Sequence, residues 1–463
     1  MSAKRDRWAL GRREFLKSAA GAGTAMAFAS AGFGADKPGE EVEPINVALI
    51  GAGTQGGDVL LPACLKIPGV RFQAVCDIWE AHNLTRASRL LKRYGHPGTP
   101  YIDCNEMLAK EKGLQAAIVA TPDFWHARHT VACLEAGLHV YCEKAMSNTV
   151  EGARRMVEAA RRTGKLLQIG HQRRSNPRYL FCREKLFQEM SLFGRITAVN
   201  GQWNRAVQIP FGCPKGKEID EATLKRYGYG SMQEYRNWRW YKGLGGGPIV
   251  DLGAHQIDVY NWLLDTRPKS VLASGRLNYY DKGTHQWWDT VVAVYEYDTA
   301  RGPVTASYQT LSANSNQGYF EKFMGDRGTL VLSERADRTR LYPEPTGEPA
   351  TTWARCVKNG YLTAQPEWMK LVERMSFEEL ANALSVSGTV EATGKTPTLE
   401  LAVELSKPIH QPHLENFFDA IRGKAKLNCP AEVGYEAAVT VLKVNEAIEA
   451  GRRLDFKAEE FSV

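Results

Sequence analysis

The tightest constraint on this chain is a strand–turn–helix signature near its front. Ile45–Ile50 reads INVALI, a nearly continuous apolar run of the kind a parallel strand needs when both its faces are buried. Gly51, Gly53 and Gly56 follow at once with G-x-G-x-x-G spacing, ahead of a helix-compatible stretch over 57–67. A second apolar run, Val70–Cys76, ends in Asp77, 21 residues after the last glycine. Glycines alone would be weak evidence. Between a strand and a helix, with an acid at that distance, they describe a dinucleotide site. The turn lets backbone N–H groups approach a pyrophosphate at a helix N-terminus, and the acid accepts hydrogen bonds from the adenosine ribose. Asp77 is followed by Ile78 and Trp79, with no basic residue beside it. A carboxylate there repels a 2′-phosphate, which favours NAD over NADP.

The alternation continues. Helices are expected over 80–94, 125–136 and 148–162, the last opened by a capping box of Asn148 with Glu151. Strands are expected over 115–120, 139–142 and 166–170. In open parallel sheets, ligands sit beyond the carboxyl ends of the strands. The polar residues gather there: Gly51, Gly53, Thr54, Gln55, Gly56 and Asp77, then Thr121, Pro122 and His126, then Glu143 and Lys144, then Gln172 and Arg173. These are the candidate cofactor-binding residues, with Arg173 assigned to the substrate. After Arg173 the pattern changes to strand-like runs at 196–203, 271–280, 290–297, 304–311 and 329–332, with helices returning at 415–421 and 435–449 and Gly451 as a stop. Strands without intervening helices indicate a mostly antiparallel sheet. The expected fold is therefore an α/β N-terminal Rossmann domain with a parallel sheet over 45–173, then a C-terminal α+β domain with a mostly antiparallel open sheet over 174–463. Residues 335–410, with Pro, Gly and Thr clusters, read as an insertion.

Several motifs here resemble those of the Gfo/Idh/MocA oxidoreductases. Residues 120–126, Ala-Thr-Pro-Asp-Phe-Trp-His, resemble the family's T-P-x-x-x-H. Residues 137–145, Gly-Leu-His-Val-Tyr-Cys-Glu-Lys-Ala, resemble its G-K-H-V-x-x-E-K-P, with Ala145 in place of the proline. Residues 245–255, Gly-Gly-Gly-Pro-Ile-Val-Asp-Leu-Gly-Ala-His, resemble its G-G-x-x-x-D-x-G-x-H, and 413–423 its late helix. The resemblance implies a lysine–aspartate–histidine catalytic set at Lys144, Asp251 and His255, and a C-terminal sheet that pairs copies into a homo-oligomer. The residues themselves suit the chemistry. Hydride transfer at a carbinol carbon needs a group for the hydroxyl proton, and a histidine one helical turn from an acid can serve. Asp251 has a plainer alternative as a helix N-cap, and Asp258 reads as a structural partner. Trp240 and Tyr241, with Arg173 and His255, are the substrate-contact candidates, since pyranose rings stack on aromatic faces.

The expected activity is an NAD(H)-dependent oxidoreductase acting on a CH–OH carbon of a sugar, cyclitol or sugar derivative. Two alternatives stand beside it: an NAD-dependent glycoside-cleaving enzyme working by transient oxidation and elimination, and a non-catalytic dinucleotide-holding protein. No metal is expected; nine scattered cysteines include no C-x-x-C pair.

Composition adds two points. The formal charge of +7 is concentrated at the front, where residues 1–35 hold six basic residues against Asp6 and Glu14, and no basic stripe interleaved with aromatics suggests nucleic acid. Those residues also place Arg12 and Arg13 ahead of Phe15, Leu16 and Lys17, followed by an Ala/Gly-rich stretch with small residues at Ala29 and Ala31. This is the layout of a twin-arginine export signal cleaved near 31–35, with 36–44 as a linker. The route carries folded proteins through the twin-arginine export machinery to the periplasm, so a tightly bound NAD could travel with the chain.

Overall fold

In the computed structural model, which describes residues 42–344, 349–385 and 398–463, the apolar run at 45–50 is the centre of a six-stranded parallel sheet. Its strands are β1 (Ile45–Ile50), β2 (Val70–Cys76), β3 (Thr99–Tyr101), β4 (Ala116–Val119), β5 (His139–Cys142) and β6 (Leu167–Ile169), in the order β3-β2-β1-β4-β5-β6. The order reverses between β1 and β4, which opens a crevice at their carboxyl ends. Val47, Ala48 and Leu49 are fully buried, because helices cover both faces. Truncating Leu49 to alanine would cost about 2–5 kcal/mol.

Details differ from the expectation where side chains compete with it. The first helix begins earlier, at Thr54, and runs through Thr54–Leu60 into Leu61–Cys64. The cap of the helix Val150–Thr163 is Thr149, not Asn148. Thr149 has the extended backbone of a cap and its hydroxyl accepts from Gly152 N at 3.1 Å, while Asn148 donates to the Gly243 carbonyl at 2.9 Å. The short edge strand β3, which contains Pro100, carries no periodicity from which to read it.

The second sheet has eight strands: β7 (Ile196–Asn204), β8 (Pro268–Arg276), β9 (Thr290–Thr299), β10 (Gly302–Leu311), β11 (Tyr319–Gly325), β12 (Gly328–Leu332), β13 (Arg340–Pro343) and a short β16 (Leu454–Asp455). A separate two-stranded ribbon joins β14 (Leu362–Thr363) to β15 (Glu400–Leu401). The order is β13-β12-β11-β7-β10-β9-β8-β16, antiparallel apart from β7 beside β10. The helices Gly247–Leu264 and Ala431–Ala450 pack on one face; the second ends at Gly451, which has φ +60°. The opposite face exposes Leu272 on β8 and Val292 and Val294 on β9, the last two alternating with the buried Val291, Ala293 and Tyr295. β8 stops at Arg276, short of the expected 280, because the Asp289 carboxylate takes the backbone N–H groups of Asn278, Tyr279 and Tyr280. β11 has no apolar alternation to predict it, since Glu321 points inward. Among the described residues of 335–410, β13 extends the large sheet, and Ile409 and His410 reach the crevice described next.

All nine cysteines are free thiols, and Cys76 and Cys142 are buried at strand ends as small core residues. No helix among the described residues is long and apolar enough to cross a membrane. Arg12 and Arg13, with the rest of the expected export signal, lie outside the described residues.

Candidate active site

A cavity of about 530 Å³ runs from the glycine turn to the N-terminal half of the helix Gly247–Leu264. Each glycine of the turn has its own job. Gly51 has φ +88°, and a Cβ there would stand 2.6 Å from the Ala120 carbonyl carbon, so glycine lets β1 and β4 close up at the crevice. Gly56 packs directly against the Gly51 carbonyl; it seals the turn and does not line the cavity. Gly53 differs, because the nearest protein atom to its missing Cβ is Asn83 Nδ2 at 3.7 Å. The space it leaves is cavity, as a passing pyrophosphate requires. Asp77 is buried and accepts from Ala52 N and Trp79 N, both at 2.8 Å, with longer bonds from Asn83 (3.3 Å) and Tyr235 (3.4 Å). Burial raises its pKa and those donors oppose the rise. A ribose would displace the two long bonds and leave the two short ones. The residues present therefore fit a dinucleotide.

Thr54, Gln55, Thr121 and Pro122 also line the cavity. His126 does too, but its ring nitrogens lie against the Thr121 carbonyl (2.7 Å) and the Ala145 carbonyl (2.8 Å), so it ties two strand-end loops together. In the loop after β5 the Lys144–Ala145 peptide is cis. Glu143 accepts from Gln55 Nε2 at 3.0 Å and from Lys144 N at 3.1 Å. Gln172 donates to Glu334 at 2.9 Å.

At the other end, Lys144 leaves the end of β5 and reaches across to Asp251, touching its backbone carbonyl at 2.5 Å and its carboxylate at 3.1 Å. Asp251 lies five residues into its helix, whose N-cap is Gly246, so the N-cap alternative does not hold. The glycine run explains the entry to this helix: Gly247 has φ +79°, and a Cβ there would meet the Trp287 ring at 2.7 Å. The Asp251 carboxylate also meets Arg239 at 3.2 Å and Arg205 at 3.9 Å. Burial alone would raise its pKa, but Lys144, Arg239 and Arg205 outweigh burial and hold it well below the usual carboxylate range.

His255, one turn further, is 7% exposed, and the Trp203 ring lies 5.3 Å away. No hydrogen bond joins it to Asp251 among the described residues, and its buried Nδ1 has no partner. The acid thus orients the lysine and two arginines, not the imidazole. Burial, then Lys144 and Arg173, push the His255 pKa well down, which keeps the ring neutral. Asp258 is a structural partner: it holds Arg174 through bonds of 2.7 to 3.0 Å, with His171 at 3.7 Å.

Two substrate-contact expectations need correction. Arg173 is 1% exposed and does not line the cavity. It is a buried cation clamped by Glu321 and Glu334, and such a charge must be paired where it lies. Tyr241 is buried in the cluster around Trp79 and Trp238 and also stays out of the cavity; Trp240 does line it. Sequence reasoning missed Arg205, Arg239, Asp123 and His410, all cavity-lining. Asp123, 4% exposed, is pushed up to about 7 by burial and by neighbouring Asp251. His410 touches Gln55 at 3.2 Å from the far end of the 335–410 segment. Arg239, between two tryptophans just before the glycine run, was the one with a visible signal.

Comparison with known proteins agrees with this architecture. Residues 45–171 match the GFO/IDH/MocA profile described as an oxidoreductase family with an NAD-binding Rossmann fold, and residues 219–331 match the GFO/IDH/MocA C-terminal domain. A D-glucoside 3-dehydrogenase of Escherichia coli is 27% identical over 327 residues, covering 67% of this chain and 82% of that one. An inositol 2-dehydrogenase of Saccharopolyspora erythraea is 33% identical over 307 residues, covering 66% and 78%. The solved structure of a levoglucosan dehydrogenase with NADH and levoglucosan shares the fold at a TM-score of 0.61 and 17% identity, over 89% of this chain and 99% of that one. Two sheets, a glycine turn at the crevice between them, and two matching domain profiles lead to one conclusion: this chain belongs to the Gfo/Idh/MocA oxidoreductases.

Proposed function

We propose that the protein is an NAD(H)-dependent dehydrogenase acting on a carbinol carbon of a sugar, cyclitol or sugar derivative, with Lys144, Asp251 and His255 as its catalytic set. The observation that carries the reading is the contact between Lys144 and Asp251 at 3.1 Å, which joins the end of the parallel sheet to the second-domain helix in the cavity that holds the glycine turn. When bound, the nicotinamide supplies the hydride acceptor. The protein handles the rest. Lys144, anchored by Asp251, polarises the substrate oxygen, and the neutral His255 imidazole takes the hydroxyl proton. Asp251 fixes Lys144 and Arg239 without leaving its ionised state. The ring of Trp203 beside His255 offers a face for the sugar.

The test is purified protein with a panel of sugars, cyclitols and aryl glycosides. NADH formation with a sugar or cyclitol supports the proposal. Release of the aryl group without net NADH would replace it with glycoside cleavage, and silence across the panel would leave a dinucleotide-holding protein.

Three further features belong to the proposal. Bound NAD stays with the protein through dialysis, since an exported enzyme meets no external supply. The Arg12–Arg13 segment directs export to the periplasm, which replacing both arginines by lysine would block. Copies pair through the sheet face that exposes Leu272, Val292 and Val294, which a Leu272→Arg change would disrupt in sedimentation.

A further inference from the structure

A second, more open cavity adjoins the first and shares Arg205, Gln208 and Tyr319 with it. Three arginines line it, Arg205, Arg335 and Arg338, and no carboxylate does. The three are not equally committed. Arg335 is held by Asp337 at 3.0 and 2.7 Å. Arg338 lies over the Tyr319 ring at 5.8 Å and against Gly318, where any side chain would collide with its guanidinium; no carboxylate pairs with it within 4 Å among the described residues, and neighbouring Asp337, already held by Arg335, feels its charge only at longer range. Arg205 is the outermost of three cations on one carboxylate: Lys144 and Arg239 lie at 3.1 and 3.2 Å from Asp251, Arg205 at 3.9 Å. Burial, and the like charge of Arg239, disfavour its cationic form, and the distant Asp251 offsets this only in part. A guanidinium at the junction of two cavities thus lacks a full counter-charge.

An aromatic floor joins this junction to the acid–base end. His255 lies against Trp203, Tyr319 stacks on Trp203 at 4.5 Å, and Arg205 sits over Trp203 at 5.3 Å. A ring resting on that floor with one hydroxyl at His255 would present a substituent on its far side to Arg205 and Arg338. Two planar, donor-rich cations beside one aromatic face suit an oxyanion of fixed geometry.

We propose that the substrate is an acidic sugar: it carries an anionic group, a carboxylate or a phosphate, remote from the oxidised carbon, and Arg205 with Arg338 binds that group. This rests on the dehydrogenase reading of the larger cavity, and the experiment separates the two. Binding to the dinucleotide-loaded full chain is measured by titration calorimetry for D-glucuronate against D-glucose, D-galacturonate against D-galactose, and glucose 6-phosphate, with NADH formation followed in parallel. A charge-assisted hydrogen bond contributes roughly 1.5–3 kcal/mol, so at least one acidic probe should bind about tenfold to a hundredfold tighter than its neutral partner at low salt. The advantage should shrink with added salt, because both arginines are partly exposed. It should fall several-fold in Arg338→Gln and largely vanish in Arg205→Gln. A uronate preference assigns a carboxylate and a glucose 6-phosphate preference assigns a phosphate; both support the proposal. Equal or undetectable binding of acidic and neutral probes by the wild type overturns it, as does an acid-to-neutral ratio that both variants leave unchanged while melting like the wild type. A kept anion preference with no NADH from any probe overturns the dehydrogenase reading instead.

Discussion

Replacing Asp251 with asparagine removes the one carboxylate that Lys144, Arg239 and Arg205 share at 3.1, 3.2 and 3.9 Å. The amide keeps the shape and the polarity, so the change isolates charge. Breaking a buried ion pair by deleting one partner costs about 3–5 kcal/mol. The arginine side chains here are 44% and 33% exposed, which places the cost at the lower end, about 3 kcal/mol. Unfolding entropy scales with length, so in a chain of this size that amounts to roughly 3 °C in Tm. Turnover should fall much further, by at least about 100-fold, because Lys144 loses the contact that aims it. The pH dependence has a definite sign. Asp251 has a folded pKa below its unfolded value, so its stabilisation is present above the ordinary carboxylate range and is lost only as pH falls through the depressed value. The stability gap between wild type and variant should therefore be constant from about pH 5 to 9 and close under acid. Differential scanning calorimetry across pH reads the melting temperature and its pH dependence, and steady-state kinetics reads the turnover. A variant that keeps more than half its turnover and melts within about 1 °C of wild type would refute the shared-carboxylate account.

His255→Ala should lose about two orders of magnitude in turnover while NAD still binds, and steady-state kinetics that retain more than half the rate would remove it from the catalytic set. Asp77→Ala should relax the preference for NAD, since Arg236, over the Trp79 ring at 4.9 Å, is the cation a 2′-phosphate would meet once the carboxylate is gone; a wild type that binds NADP more tightly than NAD contradicts the assignment. Asp123→Asn tests the other perturbed acid. A carboxyl raised to about 7 from 3.8 stabilises fully below the unfolded value and loses that contribution as pH rises through the folded one, so wild type should lose up to roughly 4 kcal/mol relative to the variant between pH 4 and 7; urea unfolding that shows a flat difference across this window rejects the shift.

What could be read in advance was what neighbours in the chain encode. The apolar run of β1, the glycine spacing, the acid ending β2 and the i, i+4 pair of Asp251 and His255 are local patterns, and the structure keeps each in place. What could not be read depends on partners far apart in sequence. Glu321 breaks the alternation of β11 because its counter-ion Arg173 arrives from the end of the other sheet. The same pairing hides Arg173 from the cavity its position in the sequence pointed to. Thr149 and Asn148 were equally good caps by residue type, and only the Gly243 carbonyl, brought close by folding, claims one of them. Arg205 and His410 carried no motif: the first matters through a carboxylate on another element, the second through Gln55, 355 residues away.

The buried Arg173 cluster bears on how the site works. Its cation comes from the turn Gln172–Ser175 after the parallel sheet, and its anions come from the second domain, Glu321 on β11 and Glu334 just past the end of β12. Tyr179 donates to the second Glu321 oxygen at 2.8 Å, and Gln172 donates to Glu334. Burial pushes the Glu321 pKa up to about 7 even with Arg173 opposing it, so the pair is costly to form and costlier to part. Sliding one sheet past the other would strand a buried charge, at several kcal/mol for each ion. The distance between Lys144 on one side and Asp251 with His255 on the other is thereby set before any substrate arrives. A site fixed in this way contributes to catalysis through orientation, in which an error of about 1 Å can cost a hundredfold in rate. Arg173 lines no part of the cavity, but its pairing across the two sheets keeps Lys144 in register with Asp251 and His255, the catalytic set proposed above.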